Sequence, residues 1–302
     1  MLEVTFRSKA LNKDVQYRAI YPEKITAGER LAVVYLLHGG GGGFRDWSNY
    51  SDVARYAERG LILIMPEGDS SYFVNSAGRP EDRYEDYIVV DLIVDVEKRF
   101  PVVAGRGNRA IAGVSMGGFG AVNLALRHPG LFVFAGGISP VLDVPSRPFS
   151  VRRIEQWRRF RAIFGEWNGQ TQRENDPFVL AKVADPAKTP YLFLSCGEQE
   201  GLLSVNKAFV ALLQKRHVSL NFITRPEITT GNSGTNRFRA CSVACPSKCI
   251  WGIEMQRAKV SGRNRAVLGR NVLRPYKVKS YERKRTDSRW NIFTARNRAT
   301  AA

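Results

Sequence analysis

The chain has 302 residues, 44% hydrophobic and 25% charged, a balance that suits a soluble globular protein with a full core. No apolar run approaches the ~20 residues that cross a bilayer. The N-terminal "MLEVTFRSKALNKDVQYRAIYPEKI" lacks the basic-then-apolar order of a secretion signal, so the expectation is a cytoplasmic protein with no membrane partner. The net charge of +18 suggests nucleic acid until its distribution is read. Residues 227–302 carry 17 Lys+Arg against 4 Asp+Glu, which leaves only +5 for residues 1–226.

In chain order, short apolar runs alternate with helical patterns. "LAVVYLL" (31–37) is a predicted strand, "WSNYSDVARYAERG" (47–60) a helix, "LILIM" (61–65) a strand and "YEDYIVVDLIVDVEKRF" (84–100) a helix. "RAIAG" (109–113), "GFGAVNLALRH" (118–128) and "LFVFAGGI" (131–138) continue the alternation. A basic, Trp-rich insert fills 140–189, and then "YLFLSC" (191–196), "LSVNKAFVALLQKRH" (203–217) and "LNFIT" (220–224) resume it. Apolar runs of this length suit strands buried on both faces, so the class is α/β with a mostly parallel sheet between helices. In the insert, "RRIEQWRRFRAIF" places Trp157, Phe160 and Phe164 near helical spacing. That fits either an amphipathic helix over the sheet edge or a cap over an acyl pocket. Residues 227–302 show no sustained period and too little to bury, so they read as a disordered tail.

One turn carries chemistry. Gly113-Val114-Ser115-Met116-Gly117, followed by Gly118, lies between a predicted strand and a helix, the context a nucleophile elbow requires. Ser115 is the candidate nucleophile, and the helix start behind it favours developing negative charge. Upstream, "YLLHGGGGGFRDW" (35–47) is a glycine-rich turn after a buried strand. It lacks the Lys of a phosphate-binding P-loop, and its amides suit an oxyanion. Gly40 and Met116 are the candidate donors.

These segments, with "MPEGDSSYFVNS", "GVSMGGFGAVNLALRHPGLF" and "NDPF" in this order, resemble the esterase family of α/β-hydrolases. That family includes esterase D-type S-formylglutathione hydrolases, feruloyl and acetyl esterases and mycolyl transferases. The resemblance covers roughly residues 3–226 and implies an α/β-hydrolase fold in 1–226. It also implies a serine esterase acting on a small-molecule ester or thioester, with no metal or other cofactor. An acyltransferase differs only in the acceptor. By family pattern "SCGEQEGLLSVNKAF" carries the acid, and Glu200 occupies the place where most members have Asp, with Glu198 nearby.

The family's base belongs about thirty residues later, in a G-x-H-D-W-x-x-W motif, where this chain has "RPEITTGNSGTNRF". The three histidines, His38, His128 and His217, lie elsewhere and read as structural. Back-translating Pro226 to Thr235 and reading from the last base of the Pro codon permits Gly-Asp-His-Asp-Trp-Lys-Gln-Trp-Asp. Gly231 and Gly234 stand where that reading needs the two TGG codons. Residues 227–302 are therefore expected to be out-of-frame translation that displaces a histidine from position 229. An intact frame would favour a non-catalytic binding protein on the same fold. The Cys241, Cys245 and Cys249 spacing and the basic tail offer no complete metal set and no nucleic-acid module.

Overall fold

The computed structural model describes residues 1–147, 151 and 154–225. The disordered, out-of-frame tail expected over 227–302, its three cysteines and the window for the base lie outside the described residues.

Eight strands form one sheet: β1 (Leu2–Ser8), β2 (Lys13–Ile20), β3 (Ala32–Leu37), β4 (Leu61–Pro66), β5 (Arg109–Val114), β6 (Phe134–Ile138), β7 (Tyr191–Gly197) and β8 (Leu220–Arg225). Their spatial order is β1-β2-β4-β3-β5-β6-β7-β8. β1 and β2 pair antiparallel, as do β2 and β4, while β3 to β8 run parallel. The two N-terminal strands were absent from the sequence expectation, which sought continuous apolar runs. Their signal is the other one: in β1 the buried Val4 and Ser8 alternate with outward residues, as an edge strand with one wet face should.

β3 and β4 are buried along their whole length, because helices lie over both faces of the sheet. α1 (Asp46–Tyr50) and α2 (Ala54–Ala57) cover one face through Trp47 and Tyr56. They replace the single helix expected over 47–60. The other face takes a long helix that begins as α3 (Tyr84–Asp86), widens to π-type turns over Tyr87–Leu92 and ends as α4 (Ile93–Arg99). α5 (Met116–Arg127) packs beside it and is buried from Met116 to Ala125.

The insert forms α6 (Ile154–Phe164), α7 (Gln170–Glu174) and α8 (Pro177–Val183). Phe160, Ile163 and Phe164 join Val74, Phe119 and Val144 in a third apolar cluster, so α6 caps the loops leaving β4 and β6. Trp157 stays outside that cluster. "NDPF" has a structural use: Asp176 caps α8 by accepting from the Phe178 amide at 2.8 Å, Pro177 takes the first turn, and Asn175 accepts from Asn123 of α5 at 3.0 Å. α9 (Leu203–Lys215) closes the face beside β7 and β8.

The connectivity itself marks a site. From β3 the chain moves to β4 on one side, then crosses to β5 on the other. Helices on the two faces part at such a switch point and leave a crevice beyond the carboxyl ends of the strands. Ser115 follows β5 there, and the glycine turn follows β3.

Candidate active site

Ser115 joins β5 directly to α5, with φ 54° and ψ −110°, a backbone conformation that L-residues rarely hold. Packing enforces it. A Cβ on Gly113 would run into the Gly117 carbonyl, and one on Gly117 into the Leu37 and His38 carbonyls. The Ser115 amide donates to Ile138 O at 2.8 Å, tying the turn to β6. Although Ser115 is the residue before the first helical turn, its side chain makes no capping bond. Among the described residues its hydroxyl has no hydrogen-bond partner.

Gly40 lies against the start of α5: a Cβ there would sit 3.9 Å from Met116 Cβ. Among the described residues, neither the Gly40 nor the Met116 amide donates a hydrogen bond. Two unspent N–H groups beside a serine on a helix start are a setting suited to negative charge.

The turn is held from below by a pair whose partnership sequence reading missed. His38 is fully buried, with Nδ1 2.8 Å from Gly39 O. Its Nε2 accepts from the Gly68 amide at 2.9 Å and stands 3.2 Å from Glu67 Oε1. The neutral ring takes the Gly68 amide; a protonated ring donates from the same atom to Glu67. Burial opposes charging, but hydrogen bonds to Glu67 and the Gly39 carbonyl outweigh it and raise the His38 pKa. Burial likewise opposes ionisation of Glu67. His38 and the Asp69 and Gly68 amides prevail, lowering it to about 2. Glu67 also accepts from the Phe44 amide at 3.3 Å, so it joins the glycine turn to the loop after β4. The signal was present in "MPEGD", but a glutamate facing backbone amides leaves no spacing pattern.

Glu200 lies in the turn after β7, partly buried, and accepts from the Cys196 thiol at 3.5 Å. Glu198 is exposed and accepts instead from the Thr224 hydroxyl at 3.1 Å. Both carboxylates therefore stand at the same carboxyl edge as Ser115.

None of the three histidines occupies the place of a base. His128 ends α5, roughly 20 Å along the helix axis from Ser115 at 1.5 Å per residue, and bonds the buried Glu85 at 2.6 Å. His217 is exposed at the amino end of β8, the opposite edge of the sheet. His38 is at the right edge, but its ring is spent on the Gly39, Gly68 and Glu67 contacts. The window beyond Arg225 lies outside the described residues.

This sheet order, with a strained serine between the fifth strand and its helix, is the architecture of the α/β-hydrolases. The family model described as "Putative esterase" matches residues 8–234, and the chain belongs to that family. An acetyl esterase from Caldicellulosiruptor saccharolyticus is 23% identical over 235 residues, 73% of this chain and 88% of the relative. An endo-1,4-beta-xylanase/feruloyl esterase from Xylanibacter ruminicola is 25% identical over 225 residues, 70% of this chain but only 26% of that longer protein. The solved Staphylococcus aureus FphF, a fluorophosphonate-binding serine hydrolase with substrate bound, is 26% identical with a TM-score of 0.64, covering 80% of this chain and 96% of that one. By fold and family the protein is a carboxylic ester hydrolase.

Among the described residues no helix is long and apolar enough to cross a membrane, and no cluster of three metal-ligating side chains occurs.

Proposed function

We propose that Ser115 attacks the carbonyl of a small carboxylic ester or thioester, that the Gly40 and Met116 amides hold the resulting oxyanion, and that Glu200 is the acid meant to orient a base. In a complete triad the base removes the Ser115 proton, returns it to the leaving alcohol or thiol, and then activates water against the acyl-enzyme. The observation that carries this reading is the Ser115 backbone, held at positive φ by two glycines that have no room for a Cβ. A strained residue with an uncommitted hydroxyl is what a poised nucleophile needs.

The proposal extends to the missing base. The histidine that should serve Ser115 is encoded one reading frame away, at position 229, and the chain without it is an impaired esterase. Oxyanion stabilisation and binding alone leave a residual acceleration of about 10³–10⁴ over water. The test is covalent labelling by a fluorophosphonate in a frame-repaired protein. Labelling should vanish in Ser115→Ala, and persistence would remove Ser115 from the role.

A second reading has its own support in the positions of His38, His128 and His217: a binding protein that keeps the fold without turnover. An intact reading frame across codons 220–240 of the gene would favour it.

A further inference from the structure

On the cap, away from the glycine turn, a cavity of about 640 Å³ opens between the loop after β4, the end of α6 and the start of α7. Its wall holds one charged group in an unusual setting. The Arg161 guanidinium is near two indoles, with Cζ 6.0 Å from the Trp157 ring centre and 5.9 Å from that of Trp167. Its Nη2 donates to Pro145 O at 2.9 Å, but Nε and Nη1 are buried with no hydrogen-bond partner among the described residues. Cation–π attraction to the indoles offsets part of that desolvation, yet it gives the two N–H groups no acceptor.

The surroundings are built, not loose. The Ala77 amide donates to Ile163 O at 2.9 Å and the Gly78 amide to Ala162 O at 2.8 Å, so the loop after β4 closes the carboxyl end of α6. Gly165 takes φ +79° to turn the chain out of the helix, and a Cβ on Gly78 would sit 2.9 Å from Ala162 O. Trp167, in the short turn between Gly165 and Gly169, is 51% exposed. Like Trp157, it is outside the apolar cluster under α6, so its displacement leaves that cluster intact. Glu166, also on the lining, is exposed and forms no ion pair with Arg161.

We propose that this cavity binds a small organic carboxylate, whose flat apolar body lies against the indoles and whose oxygens accept from the Arg161 N–H groups as Trp167 moves aside. A carboxylate matches the unmet donors in charge and in kind. The indoles favour a planar apolar body over a small hydrated anion. The carboxylate belongs either to a substrate that also reaches Ser115 or to a separate molecule. One line of contact joins the two places: Phe164 of α6 meets Phe119 edge-on at 5.8 Å, and the Phe119 amide donates to Ser115 O at 3.0 Å. The proposal does not depend on the catalytic reading, because binding can be measured without turnover.

The test titrates the full chain with benzoate and with neutral benzamide, following tryptophan fluorescence and calorimetry. Benzoate should bind saturably and at least tenfold more tightly than benzamide. Arg161→Gln should remove that preference, and Trp167→Ala should weaken benzoate at least fivefold. Trp167 is half exposed, so that variant remains informative if Arg161→Gln fails to fold. Equal binding of the two probes, no binding, or benzoate affinity unchanged in both variants would overturn the proposal. Competition with p-nitrophenyl butyrate assigns the source: mutual displacement supports a substrate carboxylate, and simultaneous binding supports a separate ligand.

Discussion

Ser115 follows β5, a strand buried from Arg109 to Gly113 in the middle of the sheet, whereas Glu200 follows β7, whose outer neighbour β8 has no fully buried residue. The serine half is held by backbone packing: glycines against carbonyls, the Ser115 amide bonded to Ile138 O, and Glu67 with His38 beneath. In the acid half the turn backbone is tied by the Glu198 amide to Arg225 O at 2.8 Å and the Glu200 amide to Gly197 O at 3.2 Å, but each carboxylate has one side-chain contact, Cys196 to Glu200 and Thr224 to Glu198. An elbow fixed by its own backbone keeps its shape when distant segments change. A carboxylate on an edge turn has no such insurance, and its geometry depends on what the following segment brings to it. A chain whose composition breaks at Pro226 therefore tests the acid half first.

The largest expected effect comes from restoring that half. Insertion of one base at the Pro226 codon should give a shorter, less basic protein with histidine at position 229. Its kcat on p-nitrophenyl acetate should rise by about 10³-fold or more, the scale on which triad members act. In the repaired protein Glu200→Gln should take back about 10³–10⁴-fold, while Glu198→Gln should change little. Equal losses would move the acid, and no gain on repair would reject the frame reading.

The next effect concerns stability and contrasts one glycine from each half. Gly117→Ala should cost about 3 kcal/mol, because the new methyl meets the Leu37 and His38 carbonyls, backbone at the end of the fully buried β3. Gly201→Ala, beside Glu200, has nothing within 4 Å of its Cβ and should change stability by less than about 0.5 kcal/mol. Urea denaturation of both variants measures the difference. Similar costs would mean that the serine half is no more tightly constrained than the acid half.

The two halves also differ in how much of them can be read from the amino-acid sequence. The parallel strands and α5 are legible because burial on both faces writes continuous apolar runs. The elbow is legible because close approach admits only glycine at Gly113 and Gly117. The antiparallel β1–β2 pair escapes that search, since one wet face writes alternation instead. The single helix expected over 47–60 divides at Ser51, which adopts extended backbone. Glu67 and Cys196 act through partners remote in sequence or generic in chemistry, and no spacing announces them. Glu200 is a candidate only through family resemblance, since a carboxylate in such a turn looks like any solvated residue until a base is placed beside it.

The smallest effect sharpens the account of the serine half through pH. Glu67 has a folded-state pKa lowered to about 2 from its ordinary 4.5. A carboxylate with a depressed pKa stabilises the fold fully above its unfolded value and loses that contribution as pH falls through its folded value. The window is therefore pH 4.5 down to about 2. The full shift would exceed 3 kcal/mol at about 1.4 kcal/mol per unit, but Glu67 is partly exposed, and solvent screening brings the expected contribution to about 1–2 kcal/mol. Glu3 and Glu85 titrate low as well, so the wild-type slope alone assigns nothing. The difference between wild type and Glu67→Gln isolates the group. Above pH 5 the variant should be less stable by that amount, because an amide holds the Phe44, Gly68 and Asp69 N–H groups less well than a carboxylate and cannot answer a protonated His38. As pH falls from 4.5 to 2 the two stability curves should converge. Parallel curves would show that the glycine turn is held by its own packing and not by the carboxylate beneath it.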